Sequence, residues 1–85
     1  MKHFANSNFW VHYYKLPASI QQLADKNFNL LKENFDHPSL HFKQVKRYWS
    51  VRVGMSHRAL GVMSESGDIV WLWIGTHREY ERLIK

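Results

Sequence analysis

The chain has 85 residues, 45% of them hydrophobic and 15% aromatic, so it can enclose one hydrophobic core and is expected to be a single domain, residues 1–85. Twelve Lys and Arg against seven Asp and Glu give a net charge of +5 with His neutral, an attraction for phosphate backbones and for acidic protein segments alike. Cysteine is absent, which rules out disulfide and zinc-thiolate staples; no apolar run approaches the roughly 20 residues of a membrane span, and with no leader pattern at its start the chain is expected to be cytoplasmic.

In chain order, Ser7 to Lys15 places Phe9, Trp10, Tyr13 and Tyr14 at helical spacing behind a capping-type serine, which predicts a short first helix. Pro17 suits the first turn of a second helix. From Ala18 to Asn34, Ile20, Leu23, Ala24, Phe28, Leu31 and, just beyond, Phe35 recur at three-and-four spacing, so this helix is expected to bury that stripe. Pro38, within Asp36-His37-Pro38-Ser39, breaks the pattern, and the period then changes from 3.6 to 2. Strands are predicted at His41 to Val45, Tyr48 to Gly54, Arg58 to Met63 and Ile69 to Ile74, with Gly54-Met55-Ser56 and Ser64 to Asp68 as connecting loops. A last short helix runs from a Thr76 cap to Lys85.

Two N-terminal helices packed on a mainly antiparallel sheet of about four strands, with a short C-terminal helix, make an α+β fold. Strand alternation assigns Val51, Val53, Leu60, Val62, Val70, Leu72 and Ile74 to the helix-covered face. It assigns Ser50, Arg52, Trp71, Trp73 and, past Gly75, His77 to the open one. Arg58 shares the parity of Leu60 and breaks this scheme, so it is placed at the strand mouth.

Arg52, Arg58, His77 and Tyr80, with Lys43, Lys46 and Arg47 nearby in sequence, combine cations with aromatic planes. Arginine grips phosphate through paired N–H groups, and indole or phenol rings such as Trp71 and Trp73 stack bases, a combination suited to single-stranded nucleic acid. Trp71 and Trp73 serve equally well as a protein interface. RNA cleavage without a metal needs a base for the 2′-hydroxyl proton, cations for the charged phosphorane and an acid for the departing 5′ oxygen. Histidine titrates in the range that permits either proton role, and His77 at a strand end beside two arginines suits the acid. The competing reading for any one of six histidines is an ordinary surface residue. His37 and His41 are separated by Pro38, which prevents helical alignment as metal ligands, and Gly54, Gly61, Gly67 and Gly75 stand singly, so neither a metal site nor a phosphate loop is expected. Glu79 and Glu81 read as solvated charges. No cofactor is called for.

The order of elements, with the stretches HPSLHFKQV, YWSVRVG, HRALGV and VWLWIGTHREYERLI, resembles the RelE/ParE superfamily of bacterial toxins over residues 9–84. The resemblance implies a type II toxin bound by a cognate antitoxin protein. It also implies either ribosome-dependent endoribonuclease action on mRNA in the A site, as in the RelE branch, or inhibition of DNA gyrase, as in the ParE branch. An inactive member that binds only its antitoxin is a third expectation. By the same resemblance, Arg52 falls where RNase members carry a basic residue on the second sheet strand and Arg58 matches their arginine opening the next. His77 matches the catalytic histidine of members ending in G-T-H, and Tyr80 lies near their C-terminal aromatic position. Ser50 stands where RelE has a lysine, and Lys43 or His41 is a possible replacement, His41 as a base. These correspondences favour the RNase branch.

Overall fold

A computed structural model describes all residues, 1–85. Five strands form one sheet: β1 (His3–Ala5), β2 (Lys43–Val45), β3 (Tyr48–Val53), β4 (His57–Met63) and β5 (Ile69–Thr76), in the order β1-β5-β4-β3-β2. The helices are α1 (Ser7–Tyr13), α2 (Ala18–Glu33) and α3 (His77–Leu83), and a 3-10 turn spans Pro38–Leu40. The α+β class and the antiparallel run from β2 to β5 match the sequence reading. The fifth strand was not anticipated. β1 pairs in parallel with β5, His3 opposite Ile69 and Ala5 opposite Trp71, and three residues without alternation carry no local sign of so distant a partner.

Each helix start has a local cause. Asn6 rather than Ser7 caps α1, its side-chain oxygen accepting from the Phe9 N–H at 2.9 Å. α1 ends at Tyr13, two residues earlier than expected. At α2, Pro17 is the cap residue and lacks a capping side chain. Thr76 caps α3 through the Glu79 N–H, while the Glu79 carboxylate accepts from the Thr76 N–H at 3.1 Å, a reciprocal box that satisfies two otherwise orphan donors.

The main correction concerns strand faces. Between β4 and β5 the register runs Leu60 opposite Trp73, then Gly61 opposite Trp71, so β5 carries Leu72 as an extra residue. Such a bulge reverses the facing of everything beyond it. Trp71, expected on the open face, is instead 5% exposed beneath the helices, in a core with Tyr13, Leu31, Leu40, Val51, Val53, Ala59, Ile69 and Ile74. Gly61 makes this possible: a Cβ there would stand 2.8 Å from the Val70 carbonyl oxygen and 3.0 Å from the Trp71 ring.

Leu60, expected on the helix side, lies on the opposite face with Trp73 and Tyr80, and Leu72 packs against this second cluster with Tyr48 and Ile84. Val70, beyond the bulge, falls outside the helix-side core, as does its partner Val62; Leu60 and Val62 are placed by the pairing of β4 with β3, where Val51 meets Ala59 and Ser50 meets Leu60. Arg58 therefore obeys alternation after all, because Leu60 shares its face. α3 is the cover of that face, through Tyr80 and Ile84. The α2 stripe is also narrower than its periodicity suggested: Leu31 is buried, whereas Phe28 and Phe35 are exposed.

These placements make unequal demands on stability. Ile69→Ala, at a fully buried site, is expected to cost about 2–5 kcal/mol, and Leu72→Ala, at the half-buried bulge, markedly less. Urea unfolding of the two variants measures the difference.

Candidate active site

β3 and β4 place Arg52 directly opposite Arg58, and Arg58 is in turn opposite Gly75 of β5. Like charges facing each other across a ladder repel. The Arg58 guanidinium is held below its ordinary value, first by partial burial and then by the Arg52 charge. It donates to the His57 carbonyl oxygen at 2.9 Å and lies over the Tyr80 ring, 5.9 Å from its centroid. The Tyr80 ring also stacks on His77, with centroids 5.7 Å apart and planes 27° apart. Two arginines, a tyrosine and a histidine thus share the α3 end of one face.

His77 occupies the first position of α3, where strand hydrogen bonding gives way to helix; its N–H donates to the Ser56 carbonyl oxygen at 2.8 Å, which fastens the helix start to the β3–β4 turn. Its Nε2 meets Glu81 Oε1 at 2.7 Å. Two buried side-chain nitrogens have no hydrogen-bond partner within the protein: Arg52 Nε and His77 Nδ1. Buried polar atoms left unpaired are costly, but these two have essentially no surface that an external group could reach; the feature of the face that an anion would relieve is the repelling arginine pair.

The other sequence-derived candidates divide. Trp73 is on the expected face but only 8% exposed: its indole lies over Gly75, where a Cβ would stand 2.4 Å from the ring, and it packs with Leu60 and Tyr80. It is the floor of the site and is too enclosed to stack a base. Trp71 is on the other face altogether, donating Nε1–H to His3 Nδ1 at 3.2 Å. Lys43 is exposed on the edge strand β2, opposite Ser50, which is itself enclosed at 2% exposure. Lys46 and Arg47 form the β2–β3 turn, and four residues of β3, roughly 13 Å, separate Tyr48 from Arg52. His41 has left-handed backbone, φ 45°, ahead of β2; three strand spacings, roughly 14 Å, separate β2 from β5, so the fold does not bring it to His77. No three His, Asp or Glu side chains converge as metal ligands.

Glu79 and Glu81 are more than solvated charges, one capping α3 and the other holding His77. The four-residue spacing of His77 and Glu81 was the signal available in the sequence.

No family model matches the chain, and no curated protein does. Solved structures do. The RelB-RelE antitoxin-toxin complex from Methanococcus jannaschii superposes with a TM-score of 0.73 at 13% identity, over 96% of this chain and 99% of that one. The YoeB/ParE toxin from Agrobacterium tumefaciens gives 0.67 at 20% identity over 91% and 99%. The toxin-antitoxin complex RelBE2 from Mycobacterium tuberculosis gives 0.67 at 16% over 89% and 96%. The chain has the fold of the RelE/ParE toxins. No helix is long and apolar enough to cross a membrane.

The anchoring of α3 beside His57 carries a pH signature. Burial holds the His57 imidazole below its ordinary value of 6.5, with Glu79 acting in the opposite sense. The unfolded chain therefore binds more protons in this range, so the stabilisation is complete above the ordinary value and is lost as pH falls through the folded one. His3 shifts the same way, from burial and then from the N-terminal amine and Lys32. The urea midpoint is expected to drop between about pH 7 and pH 5. In His57→Gln the drop should shrink to the part owed to His3.

Proposed function

We propose that this protein is the toxin of a type II toxin-antitoxin pair and acts as a ribosome-dependent endoribonuclease on mRNA. The observation that carries the reading is the cross-strand pair of Arg52 and Arg58 on the face that also holds the stacked His77 and Tyr80 rings, with Arg58 over the Tyr80 ring. The toxin fold supports it, as does the presence of antitoxin complexes among the structures that share that fold.

In this reading Arg52 and Arg58 hold the scissile phosphate and stabilise the added charge of the phosphorane. The 2′ oxygen bonds to phosphorus as the bond from phosphorus to the 5′ oxygen breaks. The His77 imidazolium gives its proton to the departing 5′ oxygen, and the 2′-hydroxyl proton passes to solvent or to a group of the ribosome. Tyr80 supports the His77 ring and faces the Arg58 guanidinium. Lys43, Lys46 and Arg47, at the far edge of the sheet, extend the positive surface along which an RNA backbone would run. The exposed aromatics Trp10 of α1, Tyr14 just past its end and Phe28 of α2 offer an apolar surface for the antitoxin.

Primer extension on a defined mRNA, with and without purified ribosomes, tests the reading. The wild-type protein is expected to cut only with ribosomes present. His77→Ala should cut about 10²–10⁴-fold more slowly, the usual contribution of a general acid, while its circular dichroism and its capture by the antitoxin persist. Growth arrest retained by His77→Ala, without cuts by either protein, would transfer the reading to gyrase.

A further inference from the structure

His77 has one ring nitrogen inside the protein and one at an exposed contact. Its Nδ1 is buried without a partner, and its Nε2 meets Glu81 Oε1 at 2.7 Å. The two side chains are 43% and 59% exposed. Backbone and ring are both held in this pose. The His77 N–H donates to the Ser56 carbonyl oxygen at 2.8 Å, the Thr76–Glu79 box sets the first turn of α3, and the Tyr80 ring stacks on the imidazole.

An imidazole has only two nitrogens. With Nδ1 shut in, any proton that His77 gives to an RNA oxygen must leave from Nε2, and Nε2 is the nitrogen that Glu81 occupies. An ionised carboxylate can only accept, so the hydrogen it holds is the one a general acid would donate. The same carboxylate sets a negative charge where a negatively charged phosphate has to come. Exposed ion pairs are weak, so the contact can open. Arg78, exposed and without an ion-pair partner, stands three positions before Glu81, within reach of the released carboxylate.

We propose that the His77–Glu81 contact is an autoinhibitory latch: Nε2 is the atom of His77 that gives up the proton, and Glu81 has to swing away before the RNA can meet it. The inference rests on the reading of His77 as the general acid. In the open state the imidazolium Nε2–H faces the departing 5′ oxygen. As the bond from phosphorus to that oxygen breaks, the proton moves to it, and the neutral ring keeps its remaining hydrogen on Nδ1. Glu81 touches neither the RNA nor the reacting atoms; it acts by occupying the donor and then leaving it.

The test begins with diethyl pyrocarbonate, which acylates an imidazole nitrogen that carries a lone pair and can be reached. In the latched neutral ring Nε2 bears the hydrogen and the lone pair lies on buried Nδ1, so His77 is expected to react slowly beside the exposed His41. Peptide mass mapping of the free protein reads both rates. In Glu81→Ala the hydrogen can move to Nδ1 and free Nε2, so His77 should react several-fold faster with His41 unchanged. Alanine is the strongest helix former, and the substitution should not fray α3. Glu81→Gln, whose amide oxygen still accepts, should react like wild type. In the ribosome assay Glu81→Ala is expected to raise kcat/KM by about two- to fivefold, the fold-change equivalent of breaking an exposed ion pair. An unchanged His77 reaction rate in Glu81→Ala, or a faster one accompanied by cleavage no quicker than wild type, would overturn the latch. Cleavage at the wild-type rate by His77→Ala would instead overturn His77 as the acid, and the part of the latch in cleavage with it, whatever the acylation reports.

Discussion

The one-residue bulge at Leu72 is the feature on which the arrangement depends. A continuous alternation through β5 would put Trp71 and Trp73 on the same face and leave the helices without their largest partner. The extra residue instead sends Trp71 and Ile74 under α1 and α2 and Trp73 to the other side. One strand thereby serves two apolar clusters, and for a chain of 85 residues that is an efficient use of large aromatic area. The second cluster gives α3 something to pack on. Tyr80 docks against Leu60 and Trp73, and the docking of Tyr80 brings His77 to the arginine face.

The electrostatics of that face follow from backbone register rather than from solvent-exposed pairing. Arg52 and Arg58 cannot separate, because they are opposite residues of one ladder whose neighbours on either side are packed. Their repulsion is built into the fold, and partial burial strengthens it by lowering the dielectric around the charges. Carboxylates are kept off the guanidinium groups: Glu79 is committed to the α3 cap, Glu81 to His77 and Asp25 to the Tyr13 hydroxyl at 2.8 Å. The two guanidinium groups are thereby left without a carboxylate partner.

Much of this was legible in the sequence wherever the signal was local. The helical spacing of α1, the change of period after Pro38, the hairpin loops and the Thr76 cap are short-range patterns, and the structure follows them within a few residues. Arg52, Arg58, Tyr80 and His77 were singled out from residue chemistry and family resemblance, and the fold gathers them on one face. The base-stacking role fails at Trp71 because the bulge sends it to the helix side, and at Trp73, which is on the expected face, because Leu60 and Tyr80 enclose it. The three-residue strand β1 was missed for a related reason: its partner is more than 60 residues away, and no local pattern encodes it.

The sequence by itself determined the α+β class, the succession of most helices and strands and which cationic, aromatic and imidazole side chains fall near strand ends, since these depend on period, capping and side-chain chemistry within a few residues of one another. Only the tertiary structure decided which face each strand residue occupies, which of the two tryptophans packs beneath Tyr80, and that Glu81 meets the His77 imidazole. Those outcomes turn on the register of β3 with β4, on the bulge in β5 and on the docking of α3, all set by packing between segments that local patterns do not connect. A one-residue change of register moves every later side chain to the other face at almost no cost in local backbone preference.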